Sequence, residues 1–137
     1  MDEIFEICLK QAEISYKHSD VPVGAVIVQN GKILAKSHNN REKKHNVLGH
    51  AEINAIIKAS KKLKRWNLSD CELYVTLRPC SMCESVIKQA RIGQVYYLLD
   101  KLDYKKEFSN SKLCKVNVNN YEQMYQKILS SFFKNKR

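Results

Sequence analysis

Two short motifs constrain this chain more than anything else in it: His50-Ala51-Glu52, and thirty residues later Pro79-Cys80-Ser81-Met82-Cys83. Each stands at the front of a helical pattern. After the first, Ile53, Ile56 and Ile57 recur at helical spacing to about Leu63, and "PCSMCESVIKQA" reads as a helix with Pro79 at its opening. Between them "CELYVTL" is rich in strand-forming residues. A helix out and a strand back return the chain to its starting level, so this order brings two helix N-termini together.

The flanking segments complete an α/β fold. Phe5, Cys8, Leu9, Ala12 and Tyr16 give a helix from Asp2 to about Lys17, which "SDVPVG" ends. "AVIVQNGKILAKSHNN" is two apolar runs around Asn30-Gly31, a strong short-range hairpin signal. "QVYYLL" is a further strand. From Asp100 to Asn120 the chain reads as a polar loop with one short strand in "LCKVNV", and Tyr121, Met124, Tyr125, Ile128 and Phe132 start a last helix. The expectation is a three-layer α/β/α sandwich around a mixed central sheet, with parallel strand-helix-strand units and the two helix N-termini at one edge of the sheet. Residues 1–137 read as one domain, without repeat or linker.

The chain carries 24 Lys and Arg against 14 Asp and Glu, a net +10, clustered in "REKKH", "KASKKLKR", "DYKKE" and "KNKR". Such a surface favours a polyanion, although a solvated Lys-rich face reads the same way. The opening "MDE" is acidic and the longest aliphatic run, "VGAVIV", is far too short to span a bilayer, so a cytoplasmic protein is expected. In a reducing compartment, two of five cysteines at Cys-x-x-Cys spacing indicate metal or redox chemistry; Cys8, Cys71 and Cys114 read as ordinary buried thiols.

A Cys-x-x-Cys pair alone fits a dithiol redox site or half of a structural zinc clip. A redox pair should follow the first strand of its unit, whereas this one follows the third. A structural clip needs a fourth ligand, for which only His18, His38, His45 or a distant cysteine is on offer. His50, Cys80 and Cys83 make three zinc donors, the number a catalytic site uses while leaving a position open. Helix N-termini favour the thiolate forms of the cysteines. Glu52, two residues after the histidine, can move a proton between water and a leaving amine without joining the ligand set. A structural clip has no use for it.

"VPVGAVIV", "HNNRE", "HAEINAI", "LYVTLRPCSMC" and "RIGQVYY" resemble the bacterial tRNA-specific adenosine deaminases of the cytidine deaminase-like superfamily, over roughly Met1 to Leu99. The resemblance implies zinc on His50, Cys80 and Cys83, a proton shuttle at Glu52, and a hydrogen bond from Asn39 to the target base. It further implies hydrolytic attack at C6 of adenine, converting wobble adenosine to inosine in a tRNA anticodon arm, by a homodimer. Deaminases of free guanine, cytosine or deoxycytidylate share the zinc set, and a catalytically idle RNA-binding subunit would share the fold. The basic excess and the C-terminal aromatic-basic helix favour RNA over a free base. The chain departs from the family at Arg78, where a Glu is usual, in "NVLG" before His50, and in the glycine-free stretch after Leu99.

Overall fold

The computed structural model describes residues 1–100 and 112–135. Its elements, in chain order, are α1 (Asp2–Lys17), β1 (Gly24–Gln29), β2 (Lys32–His38), α2 (Ala51–Leu63), β3 (Cys71–Leu77), α3 (Ser81–Gln89), β4 (Gln94–Leu99), β5 (Leu113–Lys115) and α4 (Tyr121–Asn135). The sheet runs β2-β1-β3-β4-β5. Strand β1 is antiparallel to both neighbours, whereas β3, β4 and β5 are parallel. This is the expected mixed sheet.

Helices cover both of its faces, which is why β1 reads as a continuous apolar run rather than an alternating one. Val26 and Val28 point into a cluster with Phe5, Leu9 and Ala12 of α1 and Tyr125 of α4. Ala25 and Ile27 point the other way, against Ala51, Ala55 and Ala59 of α2 and Ile87 of α3. The two-residue period of the strand thus divides one segment between two cores, each large buried side chain contributing roughly 1.5–3 kcal/mol. Gly24 has a specific reason to lack a side chain: a Cβ there would run into the carbonyl of Cys8 on α1.

The hairpin turns at Asn30 and Gly31, whose φ angles are 49° and 78°. Two successive left-handed residues make the tight turn whose twist suits a hairpin. Pairing then slips between Ile27 and Val28, leaving Leu34 as an extra residue in β2.

Several expectations need correction. The helix containing Cys83 begins at Ser81 with Cys80 as its N-cap, so Pro79 stands one residue outside it and fixes the approach. The two helix N-termini meet at the C-terminal end of β3, the central strand, rather than at a sheet edge, because α2 crosses over β1 before the chain returns. Cys8 and Cys71 are buried but Cys114 is exposed. It lies on the three-residue edge strand, of which only Leu113 packs against the core. The short strand in "LCKVNV" is β5 and 116–120 are irregular, as expected of a loop, while 101–111 lie outside the described residues. Among the described residues no helix is long and apolar enough to cross a membrane.

Candidate metal centre and active site

His50 and Cys80 occupy equivalent places: each is the N-cap of its helix, with extended backbone at φ −88° and ψ 144°, and φ −72° and ψ 172°. Neither side chain caps its own helix. Both project past the helix ends instead, where unpaired N–H groups and the positive end of the dipole favour anionic partners. Cys83, on the first turn of α3, is fully buried and faces the same point. His50 Nδ1 lies 3.5 Å from Cys83 Sγ and 3.8 Å from Cys80 Sγ. The three donor atoms fall within 4.8 Å of one another, a group that could hold a metal ion.

Glu52 sits in the first turn of α2 and is 4% exposed. The hydrogen bond that the Cys83 thiol donates to Cys80, together with burial and the Glu52 carboxylate, holds that thiol far above the usual range, the bond to Cys80 being the largest cause. Cys80 likewise raises His50, against the opposing effect of burial. His50 and Cys83 therefore hold their protons more tightly in this cluster. A divalent cation reverses this logic, because binding displaces those protons and neutralises the cluster. Two sulfurs and one imidazole nitrogen suit a borderline-soft ion. No other group of three such side chains within reach of one ion occurs among the described residues.

Asn39 lies beside this cluster. Its Oδ1 accepts the Ala51 N–H at 2.7 Å, which caps α2 from outside the helix. Its Nδ2 is left without a hydrogen-bond partner among the described residues. The backbone of Asn39 is fixed on both sides, by its own N–H to Val23 O and by Ser15 Oγ to its carbonyl.

Between Asn39 and His50 the chain forms a clasped loop. Asn40 N–H donates to Gly49 O at 2.9 Å, and Asn54 Nδ2 donates at 3.0 Å to both Asn40 Oδ1 and His38 O. A Cβ on Gly49 would meet Asn40 Oδ1 at 2.6 Å, so only glycine allows the clasp. The buried carboxylate of Asp20 accepts the N–H groups of Glu42 and Lys43 at 2.7 and 3.3 Å. Sequence reasoning missed Asp20 and Asn54, since an Asp ending a helix and an Asn within one carry no sign of a distant partner.

Arg78, which precedes the Pro-Cys turn, is 7% exposed. Its Nη1 donates to Tyr97 Oη at 2.7 Å, the guanidinium lies 5.4 Å from the Tyr97 ring centroid, and Tyr97 Oη donates to Asp100 at 2.8 Å. Glu84 of α3 lies 3.9 Å away. The departure from the family at this position thus has its own set of partners.

The family model for MafB19-like deaminases matches residues 1–137. The chain belongs to that deaminase family. It is 52% identical over 91 residues to the tRNA-specific adenosine deaminase of Rickettsia bellii (strain RML369-C), a match covering 65% of this chain and 63% of that protein. The chain therefore spans less than two thirds of that curated relative. Among solved structures, it resembles one from work on A-to-I editing by tRNA:A34 deaminases at the wobble position of transfer RNA, with a TM-score of 0.75 and 29% identity over 84% of this chain and 98% of the other. It also resembles guanine deaminase from Bacillus subtilis, with a TM-score of 0.68 and 26% identity over 98% and 93%. The deaminase's fold is thus the cytidine deaminase-like sandwich.

Proposed function

We propose that this deaminase converts adenosine to inosine at the wobble position of a tRNA anticodon, using Zn2+ held by His50, Cys80 and Cys83. The carrying observation is a three-donor cluster at two helix N-termini with the buried Glu52 beside it and outside the donor set. Similarity to tRNA-specific adenosine deaminases supports the substrate. When bound in a three-ligand site, zinc acts as a Lewis acid that makes water nucleophilic near neutral pH. Glu52 accepts a proton from the attacking water and returns it to the departing amine, which leaves as ammonia. Asn39, its Oδ1 committed to Ala51, offers Nδ2 as a donor to the base and holds it in plane. The anticodon arm is the partner, the protein works as a homodimer in the cytoplasm, and residues 1–137 form one catalytic domain.

The test is incubation with unmodified tRNA bearing adenosine at the wobble position, followed by sequencing for inosine. Inosine at that position alone is the expected result. Zinc-loaded protein that forms none would overturn the reading. A second reading, deamination of free guanine, is favoured by the similarity to a guanine deaminase across nearly the whole chain; ammonia release from guanine but not from tRNA would establish it.

A further inference from the structure

Strand β2 is an edge of the sheet, and its outward carbonyls are not left bare. Asn54, Lys58 and Lys62 of α2 donate in turn to the carbonyls of His38, Lys36 and Leu34, at 3.0, 3.0 and 3.1 Å. Four helical residues rise about 6 Å and two strand residues about 6.6 Å, so the steps match along the whole ladder. The ladder closes the edge to strand addition. It also fixes two ammonium groups in a row, where lysines ordinarily wander.

Beside that row lies an open groove of ≈ 550 Å³ lined by Leu34, Ala35, Lys36, Lys58, Lys61 and Lys62. Four lysines and no carboxylate line it. Edge closure accounts for Lys58 and Lys62, and the helix dipole favours Lys61 and Lys62 in the last turn. Neither accounts for Lys36, and Lys36 and Lys61 form no ion pair among the described residues. Four lysines around one depression give it a local positive field that attracts a polyanion. The groove runs along α2, whose N-cap is His50, so by helix rise Lys58 and Lys62 stand about 12 and 18 Å along the axis from the metal centre.

We propose that this groove binds the phosphodiester backbone of the RNA substrate at a distance from the reacting base. The inference rests on the tRNA reading above. A positively charged groove with cations spaced along a line is the arrangement that follows a nucleic-acid backbone without reading its sequence. Leu34 and Ala35 on its floor carry no side-chain acceptor that would compete for the ammonium groups.

The test uses Lys36→Gln/Lys61→Gln, which leaves the edge ladder intact, and the charge-reversed Lys36→Glu/Lys61→Glu. Binding of fluorescently labelled tRNA is measured by anisotropy over a range of salt concentrations, alongside inosine formation. The Gln pair should weaken tRNA binding roughly tenfold and reduce the slope of log affinity against log salt by about two, one for each phosphate no longer neutralised. The Glu pair should weaken it further, while kcat at saturating tRNA stays that of the parent. An unchanged affinity and slope would overturn the proposal and leave the groove to an acidic protein surface or to solvent. If the parent makes no inosine yet the slope still drops, the groove stands and the tRNA-editing reading fails.

Discussion

The side-chain oxygen of Asn39 lies 2.7 Å from the backbone nitrogen of Ala51, so the residue proposed above to bind the base also caps the helix that carries Glu52. The two jobs use different atoms and separate by mutation. Asn39→Asp keeps an acceptor for Ala51 and adds a charge that suits a helix N-terminus, but it loses the Nδ2 donor. It should keep its metal and its melting temperature and lose roughly ten- to a hundredfold in kcat/KM, the value of one hydrogen bond to a buried polar group. Asn39→Ala should lose the same activity and about 1 kcal/mol of stability as well. Full activity in the Asp variant would remove Asn39 from base recognition.

Arg78 is a buried charge whose partners include Tyr97 of β4, Asp100 just after that strand and Glu84 of α3. Burial and the bond to Asp100 push the Tyr97 hydroxyl above its ordinary range, and Arg78 opposes the shift. Glu84 Oε1 makes no hydrogen bond among the described residues and depends on the guanidinium 3.9 Å away. Arg78→Met should therefore destabilise the protein by about 1–3 kcal/mol, by stranding a carboxylate and a phenol rather than by opening a cavity. Arg78→Met/Glu84→Gln should be less destabilised than the sum of the single variants, as in a coupled pair. Additive shifts in the denaturation midpoint would show that the two do not interact.

The elements and the convergence of His50, Cys80 and Cys83 were legible where the cause is local. Asn30-Gly31 sets a tight turn from its own two backbone conformations, and the offsets His50 to Glu52 and Cys80 to Cys83 act within a turn or two of their own helices. What sequence does not display is which distant group meets which. The Asp20 carboxylate under the Glu42 and Lys43 amides, the Asn54-Lys58-Lys62 ladder and the partners of Arg78 each join segments the sheet brings together. The expected burial of Cys114 fails for the same reason: an apolar neighbourhood in sequence is not burial when the strand is the last in the sheet.

The donor cluster and Glu52 make separable contributions. Cys80→Ser, or removal of metal by a chelator, should abolish turnover and lower the melting temperature together, since metal affinity is part of folding free energy at such sites. Glu52→Ala should retain metal, as measured by elemental analysis, and lose on the order of a hundredfold or more in kcat. Retained turnover in Glu52→Ala would show that another group moves the proton.

His38 makes the stability of the loop region pH-dependent. It is partly buried, which lowers its pKa below the ordinary 6.5; nearby His18, Lys58 and Lys43 push in the same direction and Asp20 opposes them. Its Nδ1 is 3.2 Å from Gln11 Oε1, so the neutral ring donates there. The folded protein holds fewer protons on this group than the unfolded chain does at the same pH. The stabilising contribution is therefore complete above about pH 6.5 and is lost as pH falls through the lowered folded value. Melting temperature should drop between about pH 7 and 5, and His38→Gln should drop less over the same interval. The metal ligands titrate in both proteins, so the difference between the two curves isolates His38; parallel curves would mean that protonation at this ring does not reach the fold.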